Sequence, residues 1–183
     1  MPLALARTLD ARTLAVTTAL VGRSRRADQL AALAASHLAK LHIGLLGLLL
    51  IGGTGPGGWR RREAGLRTVI ALPVTIAAVA LVGRLVERPR PFTHRPDIEQ
   101  LVEHAPHRSF PSRHSACAAA MTVIALPSAP AIAALMGLGA LGLGITRVYT
   151  GLHYPTDVVA GWLIGATIGI IARQKELPGA LWT

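Results

Sequence analysis

Apolar residues along this chain fall into five blocks, 37–53, 66–86, 115–126, 129–145 and 158–172, each bounded by charged or turn-forming residues. The block at 66–86 is interrupted only by Arg67, Thr68, Pro73, Thr75, Gly83 and Arg84. As a helix it is long enough to cross roughly 30 Å of hydrocarbon. The blocks at 115–126 and 158–172 are short, and their polar flanks must complete a span. Pro127-Ser128-Ala129-Pro130 punctuates the chain so that 115–127 and 130–146 form a helical hairpin. The pattern predicts an all-α, polytopic membrane helix bundle of five to six spans in a single domain. Residues 1–34 are set apart as an N-terminal segment and 35–175 form the bundle. Arg7, Asp10 and Arg12 deny the N-terminus the clean apolar core of a cleaved signal peptide. Residues 5–34 are therefore expected to form an amphipathic helix on the membrane surface, with Arg23, Arg25 and Arg26 solvated. A short first span within 13–22 is the alternative.

Composition supports a membrane chain. Hydrophobic residues make up 51% and charged residues 15%, and the mean hydropathy is +0.46. The net charge of +10 first suggests nucleic acid, but the arginines are dispersed between apolar blocks and aromatic content is only 4%. No helix-turn-helix, zinc or RNA-recognition pattern accompanies them, so a nucleic-acid partner is not expected. Basic residues concentrate in the cytoplasmic loops of membrane proteins. Arg60-Arg61-Arg62 before block 66–86, and Arg173 with Lys175 after the last block, therefore mark the cytoplasmic side. The single cysteine, Cys117, excludes an intrachain disulfide and a cysteine-based zinc site, and reads as a small packed residue. The stretch 52–58 is glycine-rich but lacks the Gly-Lys-Ser/Thr ending of a phosphate loop, so it reads as a linker. Gly161, Gly165 and Gly169 give the last helix a smooth face for close packing, with a homodimer contact as the alternative.

Three polar segments sit at the ends of apolar blocks: Arg88-Pro89-Arg90-Pro91, then 109–114 with Ser112, Arg113 and His114, then Thr146-Arg147 followed by His153 and Asp157. The charge pattern brings all three to one face, the extracytoplasmic one. Arginines there run against the positive-inside tendency, as a role in binding anions would explain. Together they supply what phosphoryl transfer needs without a metal or cofactor: a nucleophile, an acid and positive charge around the phosphate oxygens. His153 is the candidate nucleophile, with Asp157 four residues later to hold its Nδ1 proton and leave Nε2 free. His114 is the candidate general acid. Arg90, Arg147, Ser112 and the amides around Arg113 would hold phosphate oxygens, the arginine fork matching them geometrically. Alone, Pro-Ser-x-His is a turn with Ser112 as a helix N-cap, and His37, His42, His94, His104 and His107 read as ordinary loop or interface residues.

This ordered set resembles the type 2 phosphatidic acid phosphatase superfamily, with its Lys-x6-Arg-Pro, Pro-Ser-Gly-His and Ser-Arg-x5-His-x3-Asp motifs. Thr146, Arg147, His153 and Asp157 match the third motif with Thr for Ser. Pro111, Ser112 and His114 match the second with Arg113 at the glycine, and Arg90 and Pro91 match the first with Gly83 at the lysine. The resemblance implies a histidine-based, metal-independent phosphatase working through a phosphohistidine. Arg84, Arg88 or Arg113 is the candidate to replace the missing lysine charge. Residues 87–114 look most like the bacitracin-resistance type of bacterial undecaprenyl diphosphate phosphatase. That implies a multi-pass protein of the bacterial cytoplasmic membrane acting on a polyprenyl diphosphate. Phosphatidic acid, phosphatidylglycerol phosphate or another prenyl phosphate are alternative substrates. A vanadate haloperoxidase, on the same kind of site, is disfavoured by the short apolar chain, and a non-catalytic lipid phosphate binder is the reading that Gly83 motivates.

Overall fold

The computed structural model describes residues 2–53, 56–95 and 97–174, and among these the regular secondary structure is all helical, without strands. The helices are α1 Pro2–Leu20, α2 Arg25–Ile51, α3 Pro56–Val86, the four-residue α4 Pro91–His94, α5 Arg113–Ala125, α6 Pro130–Tyr149 and α7 Pro155–Gln174. Windows in α2, α3 (running on through α4), α6 and α7 are long and apolar enough to cross a membrane. The third apolar block, 115–126, became α5, whose 13 residues are too few for that criterion alone. Instead α5 is the buried centre of the bundle, packed on α7, α3, α6 and α2.

The helix ends follow local chemistry. Ser24 caps α2 by accepting from the Ala27 amide, and Gly52 ends it at φ 68°. Pro91, Pro130 and Pro155 each open a helix, where the missing N–H costs nothing. Pro73 lies inside α3 and the helix continues through it, as membrane-type helices tolerate.

Two expectations are corrected. Residues 5–34 are not one surface helix: the chain turns at Gly22, φ 82°, before Ser24 restarts it, so the 34/35 boundary falls inside α2. Nor does α1 simply lie outside, since it packs on α6 and α7 with Leu14 and Asp10 buried. Arg60, Arg61 and Arg62 stand exposed in the early turns of α3 rather than in a loop, because the helix begins ten residues before the apolar block. Lys175 lies outside the described residues.

The glycine face of α7 is filled from within the chain. A Cβ on Gly161 would meet Ser112 O at 2.5 Å, one on Gly165 would meet Ala116 O at 1.9 Å, and one on Gly169 would meet Ala120 O at 3.0 Å. Backbone thus lies against backbone along α5 and α7, and that face is not open to a second copy. At one end of the bundle Arg67 Nη1 donates to Ala172 O at 3.1 Å, tying the start of α3 to the end of α7. At the other, α3 and α6 end where α5 and α7 begin, and the three polar segments meet there.

Candidate active site

Backbone hydrogen bonds join the three segments. The Ser109 amide donates to Arg88 O at 2.8 Å, and the Ser112 amide donates to Asp157 O at 2.9 Å. The Leu152 and His153 amides both donate to Arg147 O at 3.1 Å, folding the loop after α6 back so that His153 is carried under Arg90. Asp157, in the first turn of α7, accepts from the Tyr154 amide through Oδ2 at 2.8 Å, which fixes both the helix start and the carboxylate.

Arg90 Nη1 donates to Leu152 O at 2.8 Å and lies 3.2 Å from His153 Nε2. A guanidinium has no acceptor, so Nε2 must carry the lone pair and the ring proton resides on Nδ1. Nδ1 faces Asp157 Oδ2 at 3.5 Å and has no hydrogen-bond partner at this distance. His153 is 3% exposed and Asp157 fully buried. Burial lowers the His153 pKa below the ordinary histidine range; Asp157 opposes this, while Arg90 and Arg147 add to it.

A cavity of about 680 Å³ opens onto this ring. Arg90, His153, His114, Arg84 and Arg113 all line it. Arg147 is buried beside it, donating through Nη2 to Ala35 O at 3.0 Å. The Nε atoms of Arg90 and Arg147 are both buried without a partner. Buried guanidinium N–H groups left unpaired are costly, so these two donors are poised for an anion.

Several residues behave differently from expectation. Arg88, a candidate to replace the missing lysine, is turned to carboxylates: Nη1 donates to Asp157 Oδ1 at 2.8 Å and Nη2 to Asp10 Oδ2 at 2.6 Å, with the guanidinium 3.6 Å from the Tyr154 ring centre. Ser112 Oγ accepts from the Ser115 amide at 3.4 Å and from its hydroxyl at 2.9 Å, so the helix-cap reading describes its contacts. His104 and His107, read as ordinary loop residues, line the cavity. Asp10, Tyr154 and Thr156 were missed; the one sequence signal for Asp10 is that it is the sole carboxylate in residues 1–27. Gly83 also lines the cavity, where an added Cβ would meet the Phe110 carbonyl oxygen at a tight 3.0 Å. Among the described residues no three His, Cys, Asp or Glu side chains converge to hold a metal ion.

Comparison with known proteins gives the same grouping. The chain is 29% identical over 123 residues to the undecaprenyl-diphosphatase of Sulfolobus acidocaldarius, covering 67% of this chain and 60% of that protein. It thus spans less than two thirds of that relative's length. It is 36% identical over 138 residues to the decaprenylphosphoryl-5-phosphoribose phosphatase of Mycobacterium tuberculosis, covering 74% of this chain and 73% of the relative. The fold is similar to the crystal structure of Aquifex aeolicus LpxE, with a TM-score of 0.68, 26% identity and 94% of both chains covered. The family model of the PAP2 superfamily matches residues 64–176, the stretch that carries every segment of this site except the contributions of α1 and α2, and the chain belongs to that superfamily.

Proposed function

We propose that this chain is a membrane lipid phosphatase that hydrolyses a polyprenyl diphosphate, such as undecaprenyl diphosphate, through a phosphohistidine at His153. The observation that carries the reading is the state of that ring: Nε2 holds its lone pair toward Arg90 while Nδ1–H faces Asp157. The phosphate displaces the Arg90 contact, and its oxygens take the free N–H groups of Arg90 and Arg147. Nε2 attacks phosphorus, the bond to the bridging oxygen breaks, and that oxygen takes a proton from His114. Water then attacks the phosphohistidine, the P–N bond breaks, and the water's proton returns to His114. Asp157 balances the positive charge that develops on the imidazole.

A lipid substrate is supported by a second, apolar cavity of about 260 Å³ that shares Ile76, Arg113 and His114 with the first and continues between α2, α3, α5 and α6 past Ile43, Leu46 and Leu72. A hydrocarbon chain fits there while its headgroup reaches His153. A diphosphate is supported by the charge in excess of one phosphate's needs: Arg84, Arg108 and Arg113 line the same cavity. The bacterial cytoplasmic membrane, with the site on its extracytoplasmic face, is the location this substrate and the charge pattern favour. A second reading, a phosphate ester on a prenyl-linked sugar, is favoured by the Mycobacterium relative, whose match covers nearly three quarters of both chains.

Purified protein in EDTA should release inorganic phosphate from undecaprenyl diphosphate, and His153→Ala should lower the rate at least about a thousandfold. Release from a prenyl phosphosugar but not from the diphosphate selects the second reading. Binding of both lipids without hydrolysis across pH 4–9 would overturn catalysis altogether.

A further inference from the structure

Asp10 is an unusual residue to find beside this chemistry. It comes from α1, outside the stretch that matches the family, yet it is 4% exposed and lies behind the catalytic carboxylate. Its Oδ2 accepts from Arg88 Nη2 at 2.6 Å and from the Thr156 hydroxyl at 2.7 Å, and its Oδ1 accepts from the Thr156 amide at 3.1 Å. Arg88 Nη1 in turn donates to both Thr156 Oγ1 and Asp157 Oδ1, at 2.7 and 2.8 Å. Arg88 is thereby held between two carboxylates with Tyr154 against its face. Asp157 has its Oδ1 committed to Arg88 and its Oδ2 left to serve Tyr154 and His153.

We propose that Asp10 is a positioning residue for the reaction at His153, acting through Arg88 on Asp157. The proposal rests on the phosphatase reading above. Without Asp10 the guanidinium has one carboxylate to satisfy instead of two, and its full charge falls on Asp157. That weakens the support Asp157 gives to positive charge on His153. With Asp10 present, two carboxylates face one guanidinium, and the cluster keeps the net negative charge that a phosphorylated imidazole needs beside it. The other charged or titratable groups facing His153 are Arg90 before α4, Arg147 on α6 and His114 on α5, with Arg113 further along the cavity wall. Asp10 touches none of the proposed phosphate-binding groups, so its effect should fall on kcat and not on KM.

The test compares wild type, Asp10→Asn and Asp10→Glu in full-length protein, measuring phosphate release against pH and substrate concentration, with folded protein quantified by thermal unfolding. Asp10→Asn keeps the shape and removes the charge. It is expected to lower kcat about tenfold with KM within about threefold of wild type, and to move the acid limb of the rate profile down by about half a pH unit or more. Asp10→Glu is expected to recover part of both. Should Asp10→Asn fail to fold, Asp10→Ser also removes the carboxylate charge that faces Arg88 and Thr156, and is expected to shift kcat and the limb in the same direction. An unchanged profile, a change confined to KM, or an activity loss that merely tracks the loss of folded protein overturns the proposal. Wild-type protein that hydrolyses no lipid phosphate instead overturns the phosphatase reading, a distinct outcome seen before any variant is compared.

Discussion

Arg113 stands where the superfamily pattern has a glycine and Gly83 where it has a lysine, and the packing around the two positions differs. Phe110 O lies 3.0 Å from where a Cβ on Gly83 would be, whereas Arg113 is exposed on the cavity wall at the start of α5. Arg113→Ala is expected to raise KM for a lipid diphosphate about tenfold with a smaller fall in kcat, as steady-state phosphate release would show. Adding Gly83→Lys to that variant is expected not to restore KM, because the new side chain must first displace the backbone at Phe110. Restoration would mean that the Phe110 carbonyl gives way to a side chain at 83, which already lines the cavity. His153 carries a second residue-level expectation. As the proposed nucleophile it would attack as the neutral ring, and burial holds its pKa below the ordinary value near 6.5. The neutral form therefore persists to lower pH, and the acid limb of kcat/KM should lie below 6.5. An acid limb above 7 contradicts this placement of the ring.

Between helices, the decisive contact is α5 against α7. Gly165 allows Ala116 O to approach to a distance that no side chain permits, and the same contact aligns Ser112 with Asp157 at the start of the two helices. Gly165→Ala places a Cβ 1.9 Å from that oxygen, so the helices must separate. The expected cost is about 3 kcal/mol or more in stability, read from thermal unfolding in detergent, with activity falling together with it. Gly47→Ala, where no atom lies within 4 Å of the added Cβ, is the control and should leave both nearly unchanged. The start of α3 and the end of α7 matter differently: Arg67 ties them together at the far end, away from the cavity.

The whole molecule has a polarity that follows from which helix ends meet. The cavity lies at one end of the bundle, and the exposed Arg60, Arg61 and Arg62 lie in the early turns of α3, at the other. If the site faces outward, a cysteine placed by His107→Cys in a Cys117→Ser background should react with a membrane-impermeant maleimide in intact cells, and one placed by Arg61→Cys should react only after the membrane is opened. The reverse pattern would put the site on the cytoplasmic side and exclude an extracytoplasmic lipid carrier as substrate.

The linear chain was enough to mark where helices run, because apolar blocks and their Pro, Gly and Ser boundaries act within a few residues. It was enough also to single out His114, His153, Asp157, Arg90 and Arg147 as one candidate set, which the fold brings together, since the i to i+4 pairing of His153 with Asp157 and the order of the segments are properties of spacing. The roles of Arg88, Asp10, His104 and Ser112 were not legible that way. Arg88 could face either phosphate or carboxylate from its sequence position, and only the arrival of α1, 78 residues away in the chain, supplies the second carboxylate that claims it. His104 reads as any loop histidine until the 104–110 stretch comes to line the cavity. The helix cap at Ser112 and the space lost at Gly83 likewise depend on which backbone lies alongside. Local chemistry determined the elements and the candidate reacting groups; tertiary packing decided which charges those groups face, because Coulomb and steric terms depend on distance in space and not along the chain.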